Sequence, residues 1–184
     1  MSKISRPSIL VIGGSFAGLT AAFEIKRMLK DRVNVGVIAR QEQFVFIPSL
    51  IWLVPGWRNS EQITFDLKHP LESKNIEFIC ARVDQILPKD NKIETSSGHF
   101  EYDYLVIATG PYFDWDEVSG MGPDKGYTQS ICSLPHAIQA RKSWKEFQNI
   151  EWLYGRIRYA FSPFQRFKKS PLKIVVYYMI IVFN

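Results

Sequence analysis

The stretch Ser8-Ile-Leu-Val-Ile-Gly-Gly-Ser-Phe-Ala-Gly18 runs four aliphatic residues into a pair of glycines and then into Ser-Phe-Ala-Gly. A short unbroken aliphatic run that stops at a tight turn reads as a strand of a parallel sheet, buried on both faces. Beyond the turn, Phe16, Leu19, Ala22, Phe23, Lys26 and Leu29 recur at three and four residues, which predicts a helix over 16–30 with one apolar side. Residues 33–38, Val-Asn-Val-Gly-Val-Ile, predict a second strand. The three elements make a β-α-β unit of about 30 residues, the size of one half of a dinucleotide-binding fold.

The turn fits the Gly-x-Gly-x-x-Gly pattern at Gly13 and Gly18 and departs from it at Ser15. Gly13 permits the turn, Gly18 lets helix and strand approach, and the amides at the helix start receive a diphosphate. Ser15 places a side chain where backbone would approach phosphate, and offers a hydroxyl donor instead. The glycines alone would also suit a tight turn in any α/β protein; the order of strand, turn and helix favours a nucleotide. An acidic residue is expected about 20 positions on to hold the ribose hydroxyls, but Ala39 and Arg40 stand there. Arg40 suits a 2′-phosphate, which leaves NADP and FAD both open at this point.

Residues 44–56 are apolar but broken by Pro48 and Pro55, and read as a covering loop. Residues 64–74 predict a short helix and 76–80 a strand. Residues 82–88, 92–97 and 100–102, separated by Lys89-Asp-Asn91 and Ser97-Gly98, predict a small antiparallel meander. Tyr104-Leu-Val-Ile-Ala108 is a further buried strand that stops at Thr109-Gly110-Pro111, and residues 134–147 predict a helix.

A strand ending in Ala-Thr-Gly after such a meander resembles the FAD-dependent flavoproteins with two dinucleotide-binding domains, the pyridine nucleotide-disulfide oxidoreductase superfamily. Phe46-Ile-Pro48 and Ser130-Ile-Cys-Ser-Leu-Pro-His-Ala137 look most like sulfide:quinone oxidoreductases, with type II NADH dehydrogenases as cousins. The resemblance covers residues 8–147. It implies a Rossmann-like α/β fold with a parallel sheet and the meander inserted, FAD as cofactor, and sulfide or NADH and quinone as the partners of the intact relatives. It also implies site residues. Gly13, Gly14, Ser15, Phe16, Ala17 and Gly18 would follow the pyrophosphate, and Ala39 and Arg40 the adenosine ribose. Val83 would approach the adenine, Ala108, Thr109 and Gly110 the middle of the cofactor, and Pro48 the flavin ring. Val83 and Pro48 also suit ordinary core and loop positions. Cys132 matches a family cysteine that takes part in sulfide oxidation; a buried structural thiol is the alternative. Cys80, inside an apolar strand, is expected in the core. His69, His99 and His136 show no metal-ligand spacing and are expected as surface or capping residues.

Composition sets the remaining expectations. With 46% hydrophobic and 22% charged residues in 184, one core is expected. Residues 151–184 hold six of the 23 basic residues and one of the 18 acidic ones, which accounts for the whole net charge of +5. The body of the chain is therefore neutral, and no nucleic-acid partner is expected for it. Two cysteines and a start that runs straight into a strand suggest a reducing cytoplasmic setting, with peripheral contact at a membrane surface as an option. The longest apolar run, residues 174–183, is half of the ~20 residues of a membrane span.

The organisation expected is an incomplete FAD-binding domain over residues 1–150 and a basic aromatic tail over 151–184, with the second nucleotide-binding domain absent. The tail admits three readings: a segment for a membrane surface or nucleic acid, an added strand over 172–183, or a frame-shifted or truncated end, which is favoured. A non-catalytic module that holds a nucleotide or a partner is the alternative to an enzyme fragment.

Overall fold

The computed structural model of the chain describes residues 6–111 and 113–148. The tail and its three readings, and the boundary expected at residue 150, lie outside the described residues. Those residues divide into two compact units, 6–45 with 64–111, and 46–63 with 113–148.

The first unit is built on four parallel strands: β1 (Ser8–Ile12), β2 (Asn34–Ala39), β5 (Ile76–Cys80) and β9 (Tyr104–Ile107), in the order β5-β2-β1-β9. Helix α1 (Phe16–Leu29) joins β1 to β2, as the periodicity predicts. Side chains alternate between two faces. Ile9, Val11, Val35 and Val37 point to one side, where Leu19 and Ala22 of α1 and Leu71 of α3 (Lys68–Glu72) complete a buried cluster. Leu10, Ile12 and Ile38 point to the other, where Ile93 and Tyr102 close over them. Gly36 leaves the space that Leu10 occupies: a Cβ there would come within 2.8 Å of Leu10 Cδ2. A central strand covered on both faces excludes polar residues, which is why β1 carries only aliphatic side chains after Ser8.

The covering layer on the second face is the predicted meander, β6 (Val83–Leu87), β7 (Lys92–Thr95) and β8 (Gly98–Glu101), in the order β6-β7-β8. Asn91 turns the chain between β6 and β7 in the left-handed region, at φ 50°. Tyr102 and Asp103 then return the chain to the main sheet. The Ser8 amide donates to the Asp103 carboxylate at 2.7 Å, and the Asp103 amide to the Ser8 carbonyl at 2.9 Å, which sets β9 in register beside β1.

Two expectations change. Residues 64–74 are not one helix: β4 (Thr64–Asp66) pairs antiparallel with β3 (Gln43–Val45), and α3 begins only at Lys68. Phe44 stacks on Phe65 across that pair, with ring centroids 4.6 Å apart, and this cross-strand contact holds 64–66 extended. The Asp66 carboxylate then accepts from the Lys68 and His69 amides and starts the helix. Residues 44–56 are likewise not all loop, since they include the end of β3 and the short helix α2 (Leu50–Leu53).

In the second unit, the Phe46 amide donates to the Ile63 carbonyl at 2.8 Å and closes the neck of segment 46–63. Leu50 and Leu53 are buried, and α2 packs against α4 (Leu134–Gln148). His136, expected as a surface or capping residue, is only partly exposed. Its ring stands 6.3 Å from that of Trp115, and its Nε2 lies 3.6 Å from the Asp124 carboxylate.

Gly18 decides how closely α1 and β1 approach. A Cβ on Gly18 would strike the Gly13 carbonyl oxygen, whereas one on Gly110 would meet nothing within 4 Å. Gly18→Ala is therefore expected to lower the free energy of urea unfolding by about 2–3 kcal/mol. Gly110→Ala should leave it within about 0.5 kcal/mol. Equal losses in the two variants would refute this account of the turn.

Candidate functional site

All four parallel strands end at the same edge. The Gly13 amide donates to the Ile38 carbonyl at 2.9 Å, the Ala108 amide to the Ile12 carbonyl at 2.8 Å and the Ala81 amide to the Ala39 carbonyl at 2.9 Å. These bonds align Gly13-Gly14 after β1, Ala39-Arg40 at the end of β2, Cys80-Ala81 at the end of β5 and Ala108-Thr109-Gly110 after β9. Ligands of open parallel sheets bind at this carboxyl edge.

At its centre is the glycine turn. Gly13 has φ +129°, a conformation that L side chains rarely adopt, and a Cβ there would strike the Ala108 carbonyl. A Cβ on Gly14 would come within 2.6 Å of the Ala39 Cβ. Ser15 has φ −112° and ψ −169°, extended backbone open to any residue, so the departure from glycine carries no conformational penalty. Its side chain is exposed and makes no capping bond to the helix. The first helical hydrogen bond runs from the Leu19 amide to the Ser15 carbonyl at 2.9 Å, so the Ala17 and Gly18 amides precede the helical ladder. The helix dipole adds partial positive charge at the same place. Hydroxyl, first-turn amides and dipole together make a candidate seat for a diphosphate, and the colliding Cβ positions show why backbone could come so close.

Aromatic rings pack together at the start of α1, next to the turn. Phe16 packs edge-on against Phe44, with centroids 5.1 Å apart, and Phe44 in turn stacks on Phe65. This ladder braces the start of α1 and was not read from the sequence; its trace there is the phenylalanine at 44 and the one at 65, each in a three-residue strand. Thr109, Gly110 and Arg40 are exposed at the edge, Ala39 is buried, and Val83 is half-buried where β6 leaves β5.

The expected site residues divide between the units. Gly13 to Gly18, Ala39, Arg40, Val83 and Ala108 to Gly110 belong to the first unit; Pro48 and Cys132 belong to the second. Pro48 is exposed in the turn Ile47–Ser49. Cys132 is exposed two residues before α4; its amide donates to the buried Ser130 hydroxyl at 3.2 Å, and the Ser133 hydroxyl accepts from the His136 amide at 3.4 Å. The alternative of a buried structural thiol does not hold for Cys132.

Cys80 corrects its expectation in the opposite sense. It is exposed rather than in the core, with Sγ 3.9 Å from the Arg40 carbonyl. The cause is its place: β5 is the outer strand of the sheet, and Cys80 is its last residue, where neither covering layer reaches. No helix among the described residues is long and apolar enough to cross a membrane.

Comparison with known proteins agrees with this geometry. Residues 7–150 match the family model for pyridine nucleotide-disulphide oxidoreductases. The sulfide-quinone reductase of Aquifex aeolicus is 36% identical over 139 residues, which is 75% of this chain and 31% of that protein. A type II NADH:quinone oxidoreductase of Staphylococcus haemolyticus is 26% identical over 133 residues, 72% of this chain and 32% of that protein. The X-ray structure of the Aquifex aeolicus sulfide:quinone oxidoreductase superposes with a TM-score of 0.69 at 35% identity, covering 78% of this chain and 33% of the other. The Plasmodium falciparum NDH2 structure shares the fold, with a TM-score of 0.64 at 20% identity, over 75% of this chain and 28% of the other. The chain thus spans about a third of the length of the relatives it matches. FAD is the cofactor of this family, and the glycine turn, the Ser15 hydroxyl and the open carboxyl edge fit its diphosphate. Sequence and geometry agree that this chain belongs to the pyridine nucleotide-disulphide oxidoreductase family.

Proposed function

We propose that this chain is the FAD-binding part of a flavoprotein resembling sulfide:quinone oxidoreductase, in which electrons pass from sulfide through a cysteine and FAD to quinone. The observation that carries the reading is the diphosphate seat at the carboxyl edge of the four strands. The choice of sulfide over NADH is supported by the greater identity to the sulfide-quinone reductase, 36% against 26%.

In this reading the Ser15 hydroxyl and the Ala17 and Gly18 amides donate to the diphosphate, while Gly13 and Gly18 keep the space free of side chains. Thr109 and Gly110 lie along the middle of the cofactor, and Pro48 lies against the ring. Cys132, exposed, is the thiol that takes up sulfur. Joining its thiolate to a hydrosulfide ion as a persulfide releases two electrons and a proton. Bound FAD supplies a two-electron acceptor for that step and a donor to quinone.

The full 184-residue chain, purified, is expected to show a flavin absorption spectrum and to release FAD on heating. A colourless protein that takes up no added FAD would overturn the proposal. Gly110→Ala, which leaves the fold its space, is expected to weaken FAD binding about tenfold in equilibrium titration, because the added methyl group meets the cofactor rather than the protein. Unchanged affinity would remove Gly110 from the site.

In the FAD-loaded chain without oxygen, sulfide is expected to bleach the flavin, and Cys132→Ser to abolish this while Cys80→Ser retains it. Bleaching by NADH and not by sulfide would favour an NADH:quinone type instead.

A further inference from the structure

The ribose end of the seat departs from its usual chemistry. In a β-α-β dinucleotide half, a carboxylate at the end of the second strand accepts hydrogen bonds from the ribose hydroxyls and repels a 2′-phosphate. Here the strand ends in Ala39, which is 8% exposed and lies against Gly14, and no donor or acceptor of its side chain reaches a ribose. Arg40 follows, exposed, with its backbone held at the edge by the Ala39–Ala81 hydrogen bond and by Cys80 Sγ against its carbonyl. Its guanidinium makes no ion pair with any carboxylate among the described residues. On the neighbouring strand end the other guanidinium, Arg82, is already committed to Asp84 at 2.7 Å. The first acid after β2 is Glu42, beyond the turn, where its backbone carbonyl accepts from the Leu67 amide.

We propose that Arg40 makes this end of the seat a reader of the 2′-phosphate, so that the site binds 2′-phosphorylated adenine dinucleotides more tightly than their unphosphorylated counterparts. The inference rests on the nucleotide seat of the proposed function and adds a ligand class to it. A guanidinium presents a planar fork of donors that matches phosphate oxygens in pairs, and such charge-assisted bonds are about twice as strong as neutral ones. A ribose hydroxyl offers the same fork one neutral acceptor. FAD, which has no 2′-phosphate, is held through its diphosphate, and 2′-phosphorylated nucleotides compete with it for the same seat. Because Arg40 is exposed, the preference weakens as salt rises.

The test is calorimetric titration of the full chain, freed of any bound flavin, with ADP-ribose and with 2′-phospho-ADP-ribose, neither of which carries a redox group. The expected result is about tenfold tighter binding of the 2′-phosphorylated compound. Arg40→Ala should bring the two affinities together, and Arg40→Asp should reverse their order. Equal affinities in the unsubstituted chain, or tighter binding of ADP-ribose, would overturn the role of Arg40 and leave the nucleotide seat standing. Binding of neither compound would overturn the seat itself, and this inference with it.

Discussion

Three backbones meet at the glycine turn, and the rest of the first unit depends on that meeting. Gly18 of α1 lies against the Gly13 carbonyl, and Gly13 lies against the Ala108 carbonyl at the end of β9. No other residue type fits either place, because a Cβ would overlap a carbonyl oxygen that is itself fixed in a sheet or turn. This approach brings α1 down on β1, so that Leu19 and Ala22 reach Val11 and Val37 and are buried with them. Burial of such aliphatic side chains stabilises by about 1.5–3 kcal/mol each, so a turn that costs backbone freedom is offset by the core it allows. The same geometry turns the first amides of the helix toward the open edge. Core and binding seat thus follow from one steric constraint.

That constraint explains what was legible in the sequence. An aliphatic run ending in Gly13-Gly14, a 3.6-residue periodicity from Phe16 and a second aliphatic run at β2 are local signals, and each element forms where its pattern predicts. The meander was legible for a similar reason, since Asn91 and the Ser96-Ser97 turn separate its strands, although β8 begins at Gly98 rather than at the expected Phe100. What was not legible depends on neighbours distant in sequence. The strand Thr64–Asp66 exists because Phe65 stacks on Phe44, a partner 21 positions away. Cys80 looks like core in an apolar run, yet it is exposed because its strand is outermost and ends there. Neither strand order nor layer coverage can be read from a single run of five residues.

The site was legible to a different extent at its two ends. The proposed diphosphate seat is made of backbone and glycine, which sequence records directly as absent side chains. Ser15 looked like a flaw in the pattern, but its extended backbone shows that only a close approach, not a left-handed conformation, was at stake at that position. A hydroxyl can meet a phosphate that glycine would merely admit. At the proposed ribose end recognition would depend on side chains, and there the identity of one residue changes the chemistry: an acid accepts from hydroxyls, whereas Arg40 can only donate. A shared fold therefore leaves ligand preference at this end to be decided by the residue itself.

The two kinds of chemistry also sit on two kinds of scaffold. The seat is fixed by parallel hydrogen-bonded strands covered on both faces, so its geometry exists before any ligand arrives, which lowers the ordering cost of binding. Cys132 belongs to an irregular segment of the second unit. That segment is held by a few polar contacts, Gln139 to the Pro123 carbonyl at 2.9 Å, Thr128 to the Gly122 amide at 2.9 Å and His136 to Asp124. Irregular segments open at lower free energy than sheet cores. Substitutions among these contacts should therefore disturb the thiol's placement long before they disturb nucleotide binding, and the two properties are separable in the chain because different physical interactions maintain them.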